Sequence, residues 1–161
     1  MSETIYDAKT FVPWNSVGFL IGHTRRALLE AMDRELAQLD ITAAQYITLS
    51  SLSRKRAATA AELCSGMIYD PGAMTRQLDR LEQKGLVRRI RLPGDRRRIT
   101  LELTPAGETL CPTMNAAVVR VLNQHLSGLS KREVHELERV LRRILANAGE
   151  DLKLLTEDSH D

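Results

Sequence analysis

Arginine side chains crowd a short stretch around a Pro-Gly pair in the middle of the chain. Seven basic residues fall between Lys84 and Arg98, whereas the acidic residues in or just before this stretch are Asp95 and Glu82. The whole chain of 161 residues has a net charge of only +2, so positive charge is concentrated here. Clustered guanidinium groups bind phosphate oxygens strongly, and such a patch is typical of a nucleic-acid-binding surface. A solvated, salt-bridged face is the alternative interpretation.

Composition and motifs exclude several other classes of function. The two cysteines, Cys64 and Cys111, are too isolated in sequence to indicate a disulfide framework or a zinc site. No paired carboxylates, glycine-rich phosphate loop or triad-like arrangement is visible, so we predict no enzymatic activity, no metal and no cofactor. The sequence shows neither a signal-peptide pattern nor an apolar run of membrane-spanning length, so we expect a cytoplasmic protein.

Two short helical patterns directly precede the basic stretch. The sequence Thr59–Glu62 matches a capping box, which predicts a helix that stops at Gly66. The pair Asp70–Pro71 combines a helix N-cap with a first-turn proline, so a second helix is predicted from there to Gly85. The predicted inward stripe of this helix is Met74, Leu78 and Leu81.

Two strand-like runs follow and are joined by an arginine-rich turn. Residues 86–92 alternate imperfectly between apolar and basic side chains, and residues 99–103 alternate cleanly. The segment Pro93–Arg97 supplies the turn. These runs predict a β-hairpin with a cationic tip, which completes the order helix, turn, helix, wing.

Longer helical patterns flank this central region. A first helix is predicted from about Ser16 to about Gln38, and a second begins at the capping box Thr42–Gln45. The fifth and sixth helices are predicted to begin at Thr104–Pro105 and at the capping box Ser130–Glu133. The apolar stripes of the first, fifth and sixth helices exceed what one winged-helix core of this size would bury, which indicates dimerisation.

The predicted fourth helix has the chemistry of a reading helix in the DNA major groove, where base edges present a distinct pattern of donors and acceptors. Arg76 is expected to pair with a guanine, and Thr75 to contact a phosphate or a thymine methyl group. Gly72 would allow close approach to the backbone, and Arg80 would bind phosphate. A surface ion pair between Arg76 and Asp79 is the alternative interpretation.

The hairpin tip is suited to a narrow minor groove, whose negative potential attracts arginine. Arg96 and Arg97 are the predicted contacts there. Asp95 would repel phosphate, so we expect it to brace a tip arginine through an ion pair.

The chain resembles the multiple antibiotic resistance regulator (MarR) family. The resemblance depends on three segments: Leu81–Arg88, where a helix ends before Gly-Leu-Val; Asp95–Arg97, an Asp-x-Arg wing; and Leu103–Gly107, a Leu-Thr-x-x-Gly run. Helix order and chain length also agree, so the resemblance covers nearly the whole chain. It implies a mainly α fold with a small β-hairpin, in which about six helices form a winged helix-turn-helix and a helical dimerisation lobe.

The resemblance also implies a function. It predicts a homodimer that represses transcription from pseudo-palindromic operators on double-stranded DNA and is released by a small aromatic or phenolic ligand. The corresponding domains are an N-terminal arm and dimerisation helix (1–40), a winged helix-turn-helix lobe (41–104) and C-terminal dimerisation helices (105–161). Release by oxidation of Cys64 is one alternative, and a winged-helix module that binds proteins rather than DNA is another.

The regulatory residues are less well defined by the sequence. The candidate lining of an effector pocket between the lobes is Trp14, His23, Arg25, Tyr46 and His125. For the aromatic and histidine residues, core or interface packing is the alternative. A buried, unreactive thiol is the alternative role of Cys64.

Overall fold

Six helices and one antiparallel hairpin follow one another along the described part of the chain. The structure is a computed structural model that describes residues 4–55, 58–67, 70–91 and 99–150, with only the backbone for residues 65–67. The helices are α1 (Val17–Leu36), α2 (Ala43–Ser53), α3 (Ala60–Met67), α4 (Pro71–Gln83), α5 (Pro105–His125) and α6 (Lys131–Asn147), and the strands are β1 (Val87–Arg91) and β2 (Ile99–Leu103). Short 3₁₀ turns span Pro13–Asn15 and Ala37–Leu39. The predicted fold class is confirmed.

Side-chain caps determine where several helices begin. Thr42 with Gln45 and Ser130 with Glu133 form the predicted capping boxes, each satisfying backbone amides that have no partner within the helix. The hydrogen bonds from Ser130 hold the pKa of the Glu133 carboxyl group below its usual value. Thr104 caps α5 by accepting a hydrogen bond from the amide of Gly107.

One predicted helix boundary is wrong. Gly66 was expected to end α3 in the left-handed conformation, but the helix continues to Met67. A glycine inside a helix costs only about 1 kcal/mol relative to alanine, so burial elsewhere in a helix can outweigh it. Leu63, which is almost fully buried, anchors α3 in the core. Gly85, in contrast, has a φ of +68° and follows the C-cap Lys84, so it ends α4 as predicted.

A single apolar core joins the central region to the flanking helices. The most deeply buried side chains come from α1, α2, α3, α4, β1 and α5: Leu36, Leu49, Leu63, Met74, Leu78, Leu81, Val87 and Met114. Helix α1 packs along α5 and contacts α2. The stripe predicted for α4 is therefore the part of this helix that faces the core.

The N-terminal segment and α6 bury far less of their surface than the elements of this core. Helix α6 buries none of its residues, although it has apolar side chains at helical spacing. Trp14, just before α1, is 64% exposed. No helix in the described ranges is long and apolar enough to cross a lipid bilayer.

Candidate nucleic-acid interface

Helix α4 has one buried face and one open, basic face. Met74, Leu78 and Leu81 are buried, whereas Thr75, Arg76 and Arg80 are exposed. This separation follows from helical spacing, because residues three and four apart share a face. The helix thus projects its polar side chains away from the core.

The N-terminus of α4 is fixed by its cap. The amides of Gly72 and Ala73 donate hydrogen bonds to Asp70 Oδ1 at 2.9 and 3.1 Å. The Thr75 hydroxyl donates to the Pro71 carbonyl at 2.9 Å, which orients its methyl group. Hydrogen bonds within the chain therefore hold the first turn of α4.

Arg76 and Arg80 are available cations. Neither forms an ion pair with any residue that the structure describes. Asp79, the alternative partner considered for Arg76, pairs with Arg89 instead. Both guanidinium groups can therefore meet phosphate or a base edge without first breaking a salt bridge.

Contacts with α2 hold the other side of α4. The Gln77 amide donates to the Ala44 carbonyl at 3.1 Å and also to the buried hydroxyl of Thr48. Near the end of α4, Lys84 Nζ lies 3.0 Å from Asp40 Oδ2. These polar links add directional restraints to the apolar contact, so they fix the rotation of α4 about its own axis.

The hairpin pairs β1 with β2 in antiparallel register, with Arg88 opposite Glu102 and Arg89 opposite Leu101. Arg88 Nη2 lies 2.8 Å from Glu102 Oε2 across the two strands. The amide of Leu101 donates to the Ala58 carbonyl at 2.7 Å, so the segment before α3 extends the hydrogen bonding of β2. The predicted tip residues Asp95, Arg96 and Arg97 lie outside the described residues.

Arg89 links the hairpin to α4, a contact that the sequence interpretation missed. Its guanidinium lies 2.7 Å from Asp79 Oδ1 and 2.5 Å from Glu82 Oε2. The hydrogen bond to Asp79 is the main cause of a raised Arg89 pKa, to which the charges of Glu82 and Asp79 also contribute. The i, i+3 spacing of the two carboxylates was the available signal, because it places both on one side of the helix.

The predicted effector residues are dispersed. Tyr46 donates its hydroxyl to Asn115 Oδ1 at 3.1 Å, between α2 and α5. The His23 ring lies 4.2 Å from the Phe19 ring, centre to centre. His125 Nδ1 lies 2.8 Å from the Val121 carbonyl oxygen.

The two clefts described below do not contain the five candidate effector residues together. Arg25 lines an apolar groove of about 570 Å³ between α1 and α6, without the other four candidates. A more polar cleft of about 800 Å³ lies between α1, the start of α2 and the end of α4, and is lined by none of the five. Within one described chain, neither of these clefts brings the five residues together.

The two cysteines differ in environment. Cys64 on α3 is half-buried, and Cys111 on α5 is buried with its thiol directed at the Gly107 carbonyl, 3.2 Å away. Neither forms a disulfide. In the part of the chain that the structure describes, no group of three or more His, Cys, Asp or Glu side chains is placed to bind a metal ion.

Sequence comparison connects this geometry to known regulators. The MarR family model matches residues 41–99, which span α2 to the first residue of β2. The multiple antibiotic resistance protein MarR of Escherichia coli K12 is 36% identical over 130 residues, covering 80% of this chain and 90% of that protein. The HTH-type transcriptional repressor MdtR of Bacillus subtilis is 30% identical over 126 residues, covering 78% of this chain and 79% of MdtR.

Solved structures agree with the sequence match. Wild-type MarR from E. coli in its apo form has a TM-score of 0.71 at 34% identity, covering 84% of this chain and 98% of that one. A mutant MarR from E. coli complexed with operator DNA has a TM-score of 0.72 at 33% identity, covering 84% and 99%. These relatives are regulators, so the prediction of a regulator rather than an enzyme is confirmed. The chain belongs to the MarR family of winged helix-turn-helix transcriptional regulators.

Proposed function

We propose that this protein is a homodimeric repressor that binds a pseudo-palindromic operator and releases it when a small aromatic ligand binds. The observation that supports DNA binding best is the open face of α4, where Arg76 and Arg80 have no ion-pair partner among the described side chains. The likeness to MarR, a relative whose mutant was solved with operator DNA, supports the same reading of this face. Repression is proposed by similarity to MdtR, which is named a repressor.

The proposed DNA contacts come from the open face of α4 and from the hairpin tip. Arg76 and Thr75, in the N-terminal half of the helix, contact base edges or thymine methyl groups in the major groove. Gly72 admits the phosphate backbone close to the helix start, and Arg80 binds phosphate. Arg96 and Arg97 enter the adjacent minor groove, with Asp95 as a brace; these three are proposed on sequence alone.

The dimer is proposed from the apolar surface that one chain leaves uncovered. Leu20 and Ile21 on α1 and Val140 and Ile144 on α6 are exposed, and they flank the apolar groove between these helices. Contiguous apolar surface of this kind marks a protein interface. A second copy would cover it and set the two α4 helices about one DNA turn, or roughly 34–36 Å, apart. On this proposal residues 1–40 and 105–161 form the dimerisation lobe and residues 41–104 the DNA-binding lobe.

The ligand is proposed to act where α2 meets α5. Tyr46 is the effector candidate at that junction, where its hydrogen bond to Asn115 joins the two helices. A ligand that replaced this bond would alter the spacing of the two α4 helices in the dimer. Thermal unfolding of the purified protein with a panel of small aromatic carboxylic acids and phenols tests this step, since a ligand of the native state raises the apparent stability. A panel without any stabilising compound would remove this part of the proposal.

The DNA-binding proposal is tested by selection from a random duplex library. Wild-type protein should enrich a palindromic site, and Arg76→Ala should weaken its binding by roughly 1–3 kcal/mol. Arg26→Ala, which removes a paired surface arginine of α1, should leave the affinity unchanged. Enrichment of no defined sequence by the wild-type protein would favour the protein-interaction alternative.

A further inference from the structure

We infer that Arg89 is a positioning residue that joins the hairpin to α4, so that the two elements bind DNA as one rigid unit. This inference rests on the proposed DNA-binding function. Arg89 itself is not assigned a DNA contact. Its role is inferred from the position of its guanidinium group between β1 and α4, from the charge of its two carboxylate partners, and from comparison with Arg88.

The position of Arg89 makes it a link between two elements. Its two partners, Asp79 and Glu82, are both on α4, whereas Arg89 is on β1. The chain between the two elements is short and includes Gly85, whose φ of +68° turns the chain. The arginine therefore closes a small loop of chain by side-chain contacts, and its planar guanidinium fixes both direction and distance.

The base of the hairpin has other restraints, and the apolar ones lie on the same face of the strand pair as Arg89. Val87 and Leu101 lie in the core, and the Leu101 amide bonds to Ala58. The side chain of Arg89 is only 28% exposed, between this core and the exposed face of α4. It is thus a polar contact that restrains the angle of the hairpin relative to α4.

The pairing also offsets part of the negative charge on α4, close to the proposed DNA-binding residues. Asp79 and Glu82 lie on the same helix as Arg76 and Arg80, and each carboxylate would repel phosphate if it were unpaired. An arginine bound to both neutralises part of this charge. Partly exposed ion pairs contribute little to stability, so the main effect of the contact is expected in DNA affinity and not in folding.

Arg88 provides a matched control within the same strand. It is the preceding residue, has the same side chain and is also ion-paired, but its partner Glu102 is on β2. Replacing either arginine removes one positive charge from the same strand. Of the two replacements, only that of Arg89 removes an ion pair between the hairpin and α4.

The test uses full-length protein and a fluorescent duplex containing the palindromic site selected by the wild-type protein. Arg89→Gln is expected to weaken binding about tenfold, and Arg88→Gln less than about twofold, as measured by anisotropy at fixed salt. Equal losses in the two variants would overturn the inference while leaving the proposed function intact. Selection of no site by the wild-type protein would instead overturn the proposed function, and this inference with it.

The double variant Asp79→Asn/Glu82→Gln keeps Arg89 and gives a test of opposite sign. Removing two negative charges near phosphate would tighten binding if only net charge mattered. Loss of the contact to Arg89 predicts weaker binding, by about threefold to tenfold. Tighter binding by the double variant would contradict the positioning role. This arm also covers the case in which Arg89→Gln does not fold, because gel filtration and thermal unfolding report folding for each variant separately.

Discussion

At the scale of single residues, Gly107 shows how one absent atom determines the approach of two elements. A Cβ at this position would lie 2.3 Å from the Leu86 carbonyl oxygen, which is a backbone atom that cannot rotate away. Thr104 makes the neighbouring contacts, since its hydroxyl donates to the Gly85 carbonyl at 2.6 Å and its amide to the Leu86 carbonyl at 3.1 Å. The Leu-Thr-x-x-Gly run thus joins the start of α5 to the end of α4 and the start of the hairpin.

Gly107→Ala should therefore destabilise the protein by about 1–3 kcal/mol, as expected for overpacking of a site that cannot relax. Chemical unfolding followed by circular dichroism measures this change. Ala106→Gly, at the exposed neighbouring position, is the control and should cost at most about 1 kcal/mol. Wild-type stability of Gly107→Ala would show that α5 moves away from Leu86 without cost.

The exposure of individual side chains was easier to predict from the sequence than the ion pairs that they form. The exposure of Thr75, Arg76 and Arg80 follows from helical spacing alone, so their surface position was predictable, whereas their DNA contacts stay predictions. The contact of Arg89 with α4 was not predictable in the same way. It depends on the rotation of α4 and the strand register together, and both are set by packing in the core.

At the scale of elements, the starts of the helices were predicted correctly, whereas the end of α3 was not. A start is determined by a local side chain that accepts amide hydrogen bonds, as at Thr42, Thr59 and Ser130. The end of α3 depends instead on how much the helix gains by continuing past Gly66, which is a property of the surrounding core. The strand-like runs predicted at 86–92 and 99–103 are observed as strands over 87–91 and 99–103. Alternation located them because the buried positions Val87 and Leu101 determine which side faces inward.

The cap of α4 gives a prediction at this scale. Asp70→Ala should cost about 0.5–2 kcal/mol of stability, because two amides at the helix start lose their acceptor. Asp70→Asn keeps an acceptor oxygen and should cost a few tenths of a kcal/mol at most, since asparagine ranks equally as an N-cap. Thermal unfolding of both variants separates capping from charge. An equal loss in the two variants would mean that the charge of Asp70, and not its hydrogen bonds, stabilises α4.

At the scale of the whole molecule, the chain has one part that buries most of its apolar side chains and another that leaves many of them exposed. Around α4 and the hairpin, the described apolar residues are mostly buried, with Ile99 as an exposed exception, and the exposed residues are mainly polar. Around α1 and α6 many large apolar side chains remain at the surface, including Trp14, Leu20 and Leu137. The common apolar core, which includes Leu36 of α1 and Leu78 of α4, connects the two parts within one chain. The sequence indicated this second surface through an excess of apolar stripes, but only the structure identifies which side chains stay uncovered.

Val140→Asp tests whether a second copy covers that surface. A carboxylate buried in an apolar interface has a large desolvation cost, so this variant should be largely monomeric at a micromolar concentration at which the wild-type protein is expected to be dimeric. Light scattering coupled to gel filtration measures the mass. The matched control is Ile99→Asp, since Ile99 on β2 is 40% exposed and Val140 on α6 is 41% exposed. The control should remain dimeric, because it changes an equally exposed apolar residue away from the proposed interface.

A monomeric Val140→Asp should also lose palindrome binding, since each half-site would then be bound separately and the effective concentration supplied by the second α4 would disappear. A dimeric Val140→Asp with unchanged DNA affinity would place the interface elsewhere and leave the exposed face of α6 without the proposed partner.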